Sequence, residues 1–163
     1  TTDDYIIAGD SNPIAHGTFG FNGEWKGVGM NLLFSYQWGG DYYNQTLVDR
    51  VENANVANNV DKRIFTETWQ KAGNIALYKH ISSNPTTTYA STRFVQRDNT
   101  LDFTSFSAYY DFKHCEWLRR SKIERLRLTF YLNDIFHLST IQTERGLNYP
   151  YARTFSFSLT STF

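Results

Sequence analysis

The stretch Val28-Gly29-Met30-Asn31-Leu32-Leu33-Phe34-Ser35-Tyr36-Gln37-Trp38 decides the fold class. Every even position is apolar or aromatic, while the odd positions hold Gly, Asn, Leu, Ser and Gln. Successive side chains of a strand point to opposite sides, so this period of two makes a β-strand with one greasy face and one small, mostly polar face. Upstream, Thr18-Phe19-Gly20-Phe21-Asn22 alternates in the same way. Between the two, residues 22–27 read as a short hairpin connection. A third strand fits 102–112, with Phe106, Ala108, Tyr110 and Phe112 opposed by Ser105, Ser107, Tyr109 and Asp111. A fourth fits 124–133, where Leu126, Leu128, Phe130 and Leu132 oppose Arg125, Arg127, Thr129, Tyr131 and Asn133. The fifth, 153–163, puts Phe155, Phe157, Leu159 and Phe163 on one face and Ser or Thr at every even position.

The connections alternate in length. Residues 22–27 and 113–123 are short, while 39–101 and 134–152 are long. Within the longest, Val51, Ala54 and Val60 could line a marginal helix in an otherwise polar stretch.

Composition removes several classes of function. Sixteen Lys+Arg balance sixteen Asp+Glu in 163 residues, so no polybasic arm points to nucleic acid. Aromatics are abundant, with 13 Phe, 11 Tyr and 4 Trp. The single Cys115 can form neither an internal disulfide nor a thiolate zinc site. No apolar run approaches the roughly 20 residues of a membrane-spanning helix. A spanning barrel strand needs only about 10 residues of alternating polarity, so the bilayer stays open as an environment.

Two architectures compete for the alternation. In a water-soluble sandwich the polar faces commonly carry Lys and Glu; here the second and fifth strands show Asn, Ser, Gln, Thr and Gly instead. Eleven residues rise about 36 Å. At a tilt of roughly 40° they cover about 28 Å vertically, close to the apolar thickness of an outer membrane. Both a transmembrane barrel and a soluble sandwich satisfy the pattern.

Residues 126–136, Leu126-Arg127-Leu128-Thr129-Phe130-Tyr131-Leu132-Asn133-Asp134-Ile135-Phe136, resemble the penultimate strand of the SusC/RagA-type TonB-dependent outer-membrane transporters. Gly146-Leu147-Asn148-Tyr149-Pro150-Tyr151-Ala152-Arg153-Thr154-Phe155 is similar to that family's entry to its last strand. The Trp69-Gln70-Lys71-Ala72-Gly73-Asn74 segment resembles a Trp-Xaa-Xaa-Xaa-Gly-Asp/Asn loop of the same family. Two features depart from it: Thr143-Glu144-Arg145-Gly146 stands where a Gly-Xaa-Asp-Pro-Glu stretch is usual, and Ser156 or Ser158 replaces a glycine of the last strand.

The resemblance implies an all-β, antiparallel transmembrane β-barrel of about 22 strands, of which this chain supplies the last five. It implies residues 1–16 as an outer loop segment and 17–163 as barrel strands with a long extracellular loop at 39–101. It further implies TonB-energised import of oligosaccharides or peptides and a multi-pass location in the cell outer membrane. The implied partners are the remaining barrel and plug, a SusD-like surface lipoprotein, TonB and outer-membrane lipid. Phe163 would be the barrel-terminal insertion signal. The alternation of long and short connections fits the outside-inside asymmetry of such barrels.

No phosphate loop, dinucleotide fingerprint, zincin helix or nucleophile elbow occurs, so no enzyme activity, cofactor, metal or nucleic-acid partner is expected. His16, His80, His114 and His137 lack metal-ligand spacing. Tyr42, Tyr43, Trp69, Tyr149 and Tyr151 in the long connections are the candidate substrate contacts, since aromatic faces stack on sugars or pack on peptides. Arg125, Arg127 and Tyr131, on the polar side of the fourth strand, are candidate lumen or plug contacts. The competing reading is a soluble secreted β-sandwich that binds carbohydrate through exposed aromatics. A porin-like passive channel is a third.

Overall fold

Alternation alone carries the chain into strands, and the computed structural model shows five of them. It describes residues 5–57, 60–83, 86–112, 116–120, 123–142 and 153–163. The strands are β1 (Ala15–Trp25), β2 (Val28–Tyr43), β3 (Val95–Asp111), β4 (Arg125–Ser139) and β5 (Phe155–Thr162), ordered β1-β2-β3-β4-β5 in one sheet. Short helical turns fill the connections: α1 (Gln45–Leu47), a π-helical turn Val48–Glu52, α2 (Arg63–Glu67), a 3-10 turn Thr92–Phe94 and α3 (Glu116–Arg120). Cys115 and His114 lie outside the described residues.

The first hairpin is tighter than the sequence predicts. Asn22, Gly23 and Glu24 stay in the ladder opposite Asn31, Met30 and Gly29, so the turn shrinks to Lys26-Gly27. Both residues have positive φ, 48° and 85°, as the favoured two-residue hairpin requires. The Gly27 carbonyl accepts the Asp111 amide at 2.8 Å, which ties the hairpin tip to the end of β3. A side chain at Gly27 would press on that same Asp111 carbonyl, so glycine is needed there twice over.

Cross-strand register puts the apolar residues on one face. Phe19 faces Phe34, Phe21 faces Leu32, and Trp25 faces Val28. Across β3 and β4, Phe106, Ala108 and Tyr110 face Leu132, Phe130 and Leu128. The register then shifts between Phe103 and Ser105, where Asp134 adopts φ 51°. Such a bulge inserts a residue and re-aims its neighbours, and Asp tolerates left-handed backbone better than most side chains. Beside this irregularity, odd-numbered Phe103 stacks on even-numbered Phe34, with ring centroids 4.4 Å apart. Phe19, Phe34, Phe103 and Phe136 thus form a row across four strands, spaced 5.1, 4.4 and 5.5 Å. Phe106, Phe130 and Phe157 form a second row across β3, β4 and β5.

The expectation of a transmembrane β-barrel of about 22 strands, with this chain supplying the last five, is corrected. The five strands make an open sheet whose edges are β1 and β5. Closure around even a filled interior takes about eight strands, and five fall short. No second sheet covers the apolar face among the described residues, so a two-layer sandwich is not formed either. The multi-pass outer-membrane location that the resemblance implies is corrected with it, since the described strands form an open sheet. No helix among the described residues is long and apolar enough to cross a membrane, which bears on helices only.

The chain divides into two compact units. A sheet unit comprises Ile14–Trp38, Asn99–Thr140 and Gly146–Phe163; a loop unit comprises Thr1–Pro13, Gly39–Asp98 and Ile141–Arg145. The hydrophobic core lies in the loop unit: Leu47, Val48, Val51, Ala54, Ile64, Tyr78 and Phe94, with Tyr43, Val60 and Ile81 packed against it.

Gly29 in the sheet unit is a sharp test of the register. A Cβ there would overlap the Tyr109 ring, which lies across the glycine from the neighbouring strand. Gly29→Ala is expected to destabilise the protein by about 1–3 kcal/mol in urea unfolding, as overpacking does. Tyr109→Ala in the same chain should recover part of that loss; no recovery would mean the clash lies elsewhere.

Candidate functional site

The loop unit is built from polar residues that the sequence reads as a loop, and specific side chains organise it. Asn44 is fully buried: its Oδ1 accepts the Leu47 amide and its Nδ2 donates to Gln96 Oε1 at 2.9 Å. It thereby caps α1 as helix-start asparagines do. The chain then widens into the π-helical turn, closed by the Asn53 amide on the Val48 carbonyl at 2.8 Å. Turns of this kind are rare and recur at functional sites. The Glu52 carboxylate, almost fully buried, accepts from Arg93 Nη2 at 2.8 Å and from the Lys79 amide at 3.2 Å. Lys79 Nζ donates to Asn53 Oδ1, the Thr86 carbonyl and Thr88 Oγ1 at 2.6, 2.6 and 2.8 Å.

Trp69 stands at the neck of residues 68–78. A parallel bridge joins Thr68 and Tyr78, and the Trp69 amide donates to the Tyr78 carbonyl at 2.9 Å. The far end of this excursion turns at Gly73, φ 88°, where the Lys71 amide donates to Asn74 Oδ1. The Trp69 ring meets His80 edge-to-face at 5.8 Å and remains 40% exposed. Beside His80 a cleft of about 100 Å³ is lined by Val51, Glu52, Asn53, Ala54, Lys79, His80, Ile81, Ser82 and Thr86.

The other predicted contacts are distributed unevenly. Tyr42 is exposed, whereas Tyr43 turns inward and packs edge-on against Phe94 at 6.0 Å. Tyr149 and Tyr151 lie outside the described residues. Phe163 follows the end of β5 and is 81% exposed. Sequence reasoning singled out Trp69, but not the cleft, because residues 51–54 and 79–86 are distant in the chain and polar in composition.

On the polar side of the sheet unit, Arg125 and Arg127 converge on one carboxylate of their own chain. Asp111, 2% exposed, accepts from Arg125 Nε and Nη2 at 2.9 and 2.6 Å and from Arg127 Nη2 at 3.1 Å. The Arg127 guanidinium also lies 4.2 Å over the Tyr109 ring, whose hydroxyl donates to Glu24 Oε2 at 2.6 Å. Tyr131 sits in register between Ser107 and Ser156 and is exposed. His137 Nδ1 lies 2.5 Å from Asp102 Oδ1, directly across from it on β3. Among the described residues no group of three or more His, Cys, Asp or Glu side chains is placed to hold a metal ion.

Comparison with known proteins gives a likeness of fold. No family model and no curated protein matches this chain. A solved structure titled as the RagAB peptide importer in its open-open state is similar over 83% of this chain, with a TM-score of 0.58 and 18% identity. The match spans 14% of that importer chain. At this identity the likeness extends to the fold and no further.

The resemblance to SusC/RagA-type transporters is therefore corrected to a shared sheet geometry. Membership of that family is not shown, and TonB-energised import has no support in an open five-stranded sheet. The expected partners fall with it: remaining barrel and plug, SusD-like lipoprotein, TonB and outer-membrane lipid were all inferred from a barrel that these strands do not close. Arg125 and Arg127, two of the candidate lumen or plug contacts, share the single carboxylate of Asp111 in their own chain. Of the readings of the sequence, the open five-stranded sheet lies nearer to a small β-sheet domain than to an importer.

The Tyr109–Glu24 contact has a readable consequence. Its hydrogen bond to the carboxylate keeps the phenol proton on, so Tyr109 ionises above the ordinary value of 10.0. A folded-state value above the unfolded one contributes stability below pH 10 that is lost as pH rises through the folded value. Glu24→Gln should bring Tyr109 back toward ordinary titration in ultraviolet absorbance, while Tyr78, raised chiefly by burial, stays late. An unchanged Tyr109 titration in that variant would contradict the assignment.

Proposed function

We propose that this protein is a binding module without a reaction of its own, in which the sheet is the scaffold and the loop unit recognises carbohydrate. The observation that carries the reading is Trp69, an exposed aromatic ring held at a bridged neck beside a polar cleft. Connections longer than about 12–15 residues that build their own structure are commonly functional, and this one has its own core. A large ring, fixed at its backbone, offers the apolar face of a sugar a stacking surface at little entropic cost.

The titratable groups support binding over catalysis. Glu52 is held by Arg93, Asp61 by Arg63, Asp111 by Arg125 and Arg127, and Asp102 faces His137. A general acid or base works with a proton it can move, and Glu52, Asp61 and Asp111 are committed to ion pairs.

Titration calorimetry of the full chain against a panel of neutral oligosaccharides is expected to find a ligand. Trp69→Ala should weaken it about tenfold, the equivalent of one lost stacking contact, with unfolding unchanged. A second reading, a peptide ligand, is favoured by the likeness to part of a peptide importer. Binding of peptides in place of sugars on the same panel would select it.

A further inference from the structure

The cleft beside His80 is more specific than an exposed aromatic. Its charged groups are already engaged: Glu52 with Arg93 and the Lys79 amide, Lys79 with three oxygen acceptors. What is left over is neutral. Asn53 Oδ1 accepts from Lys79 and Thr88, while its Nδ2 has no partner among the described residues. His80 Nδ1 lies 2.9 Å from the Trp69 carbonyl, which can only accept, so the proton sits on Nδ1. In the neutral ring Nε2 is then an acceptor, and it has no partner among the described residues. The Thr86 hydroxyl is likewise without one, although its carbonyl holds Lys79. Val51, Ala54 and Ile81 supply apolar lining.

A free donor, a free acceptor and a hydroxyl over apolar carbon match a ligand bearing several hydroxyls and no charge. An anion would meet the Glu52 carboxylate and find every Lys79 proton already donated. A cation would meet no uncompensated carboxylate. The volume, about 100 Å³, is less than the roughly 150 Å³ that accommodates benzene, so it takes the edge of one ring and not a disaccharide.

We infer that this cleft, between the π-helical turn and residues 79–82 with Thr86, is a subsite for one uncharged sugar residue. A sugar hydroxyl accepts the amide proton of Asn53, and another donates to Nε2 of His80. The inference rests on the carbohydrate reading above and deepens it by naming where and what.

Two near-isosteric variants test it in the full chain. Asn53→Asp keeps the oxygen that holds Lys79 and Thr88 but removes the donor. His80→Asn places an amide nitrogen where Nδ1 stands, so the bond to the Trp69 carbonyl survives while the acceptor is lost. The probes are the methyl glycosides of glucose, galactose and mannose, with methyl glucuronide as the charged comparison, read by calorimetry and by amide chemical shifts of residues 51–54 and 79–86. Each variant is expected to weaken the preferred neutral glycoside about tenfold, the cost of a lost neutral hydrogen bond. The urea midpoint should stay in place, and the glucuronide should bind more weakly than its neutral counterpart. If Trp69→Ala weakens sugar binding while both cleft variants bind normally, the subsite is wrong and the carbohydrate reading stands. If the glucuronide binds more tightly, the neutral-ligand inference is overturned. If no sugar binds the unaltered chain, both readings fail together.

Discussion

A single-layer sheet has no interior, and that constraint governs the sheet unit. With no second layer among the described residues, its cohesion comes from ladder hydrogen bonds and from side chains meeting across strands. The two aromatic rows supply the second contribution, since neighbouring rings are worth about 0.5–1.5 kcal/mol per pair beyond the area they cover. The row through Phe19, Phe34, Phe103 and Phe136 ties four strands laterally, and the row through Phe106, Phe130 and Phe157 ties in β5. The same rings stay partly open on their outer side: Phe157 is 66% exposed. Burial is thus incomplete even where packing is most regular, and polar contacts on the other face acquire structural weight. Asp111 joined to Arg125 and Arg127, Tyr109 laid across Gly29, and Asn31 hydrogen-bonded to Ser107 stitch that side.

The loop unit solves the opposite problem. Its sequence is polar and lacks a strong period, yet it buries Leu47, Val51, Ile64 and Phe94 almost completely. Four short helical turns are enough, and side-chain hydrogen bonds hold three of them in place. Asn44 caps the first, Ser91 accepts the Arg93 amide at the 3-10 turn, and Glu52 joins the π-helical turn to Arg93 and Lys79. Pairing a buried carboxylate with a guanidinium and a backbone amide meets the requirement that buried charge be compensated and hydrogen-bonded. The ordering of this unit therefore follows from individual polar side chains more than from propensity.

This difference explains what was legible in the sequence. Each strand was visible, because alternation is a local property of neighbouring residues. The outward extensions of β2 to Tyr43, β3 from Val95 and β4 to Ser139 were not visible, since Gly39, Gly40 and Asp41 resemble a strand end. Neither was the bulge beside Asp134, nor the place of Phe103 on the aromatic row against simple parity. The larger error was reading these strands as the end of a transmembrane barrel. Alternation says which face is apolar; it carries no count of strands and does not say what lies against that face. A barrel, a sandwich and an open sheet share the same pattern, and only what the edge strands pair with and what covers the apolar face distinguish them. Of the site, Trp69 could be picked out as an aromatic in a long connection. The cleft could not, because its donor and acceptor become neighbours only when residues 51–54 and 79–86 meet.

The division of polar labour inside that cleft is what the proposed recognition role rests on. Catalysis needs groups whose protonation or nucleophilicity is free to change, and here the ionised groups are fixed in pairs while the neutral ones are free. Asn53 shows both roles in one side chain: its oxygen is held by Lys79 and Thr88, which orients the amide, and its nitrogen is thereby presented in a set direction. His80 repeats the arrangement, with Nδ1 tied to the Trp69 carbonyl and Nε2 left over. Pre-orientation of this kind reduces the entropy lost when a ligand binds, because the rotamers are chosen before it arrives. Since the Trp69 backbone anchors His80 while the Trp69 ring stands beside it, stacking and hydrogen-bonding elements share one support. A single displacement of residues 68–80 would therefore move both, which makes the bridge between Thr68 and Tyr78 the element on which the geometry of recognition depends.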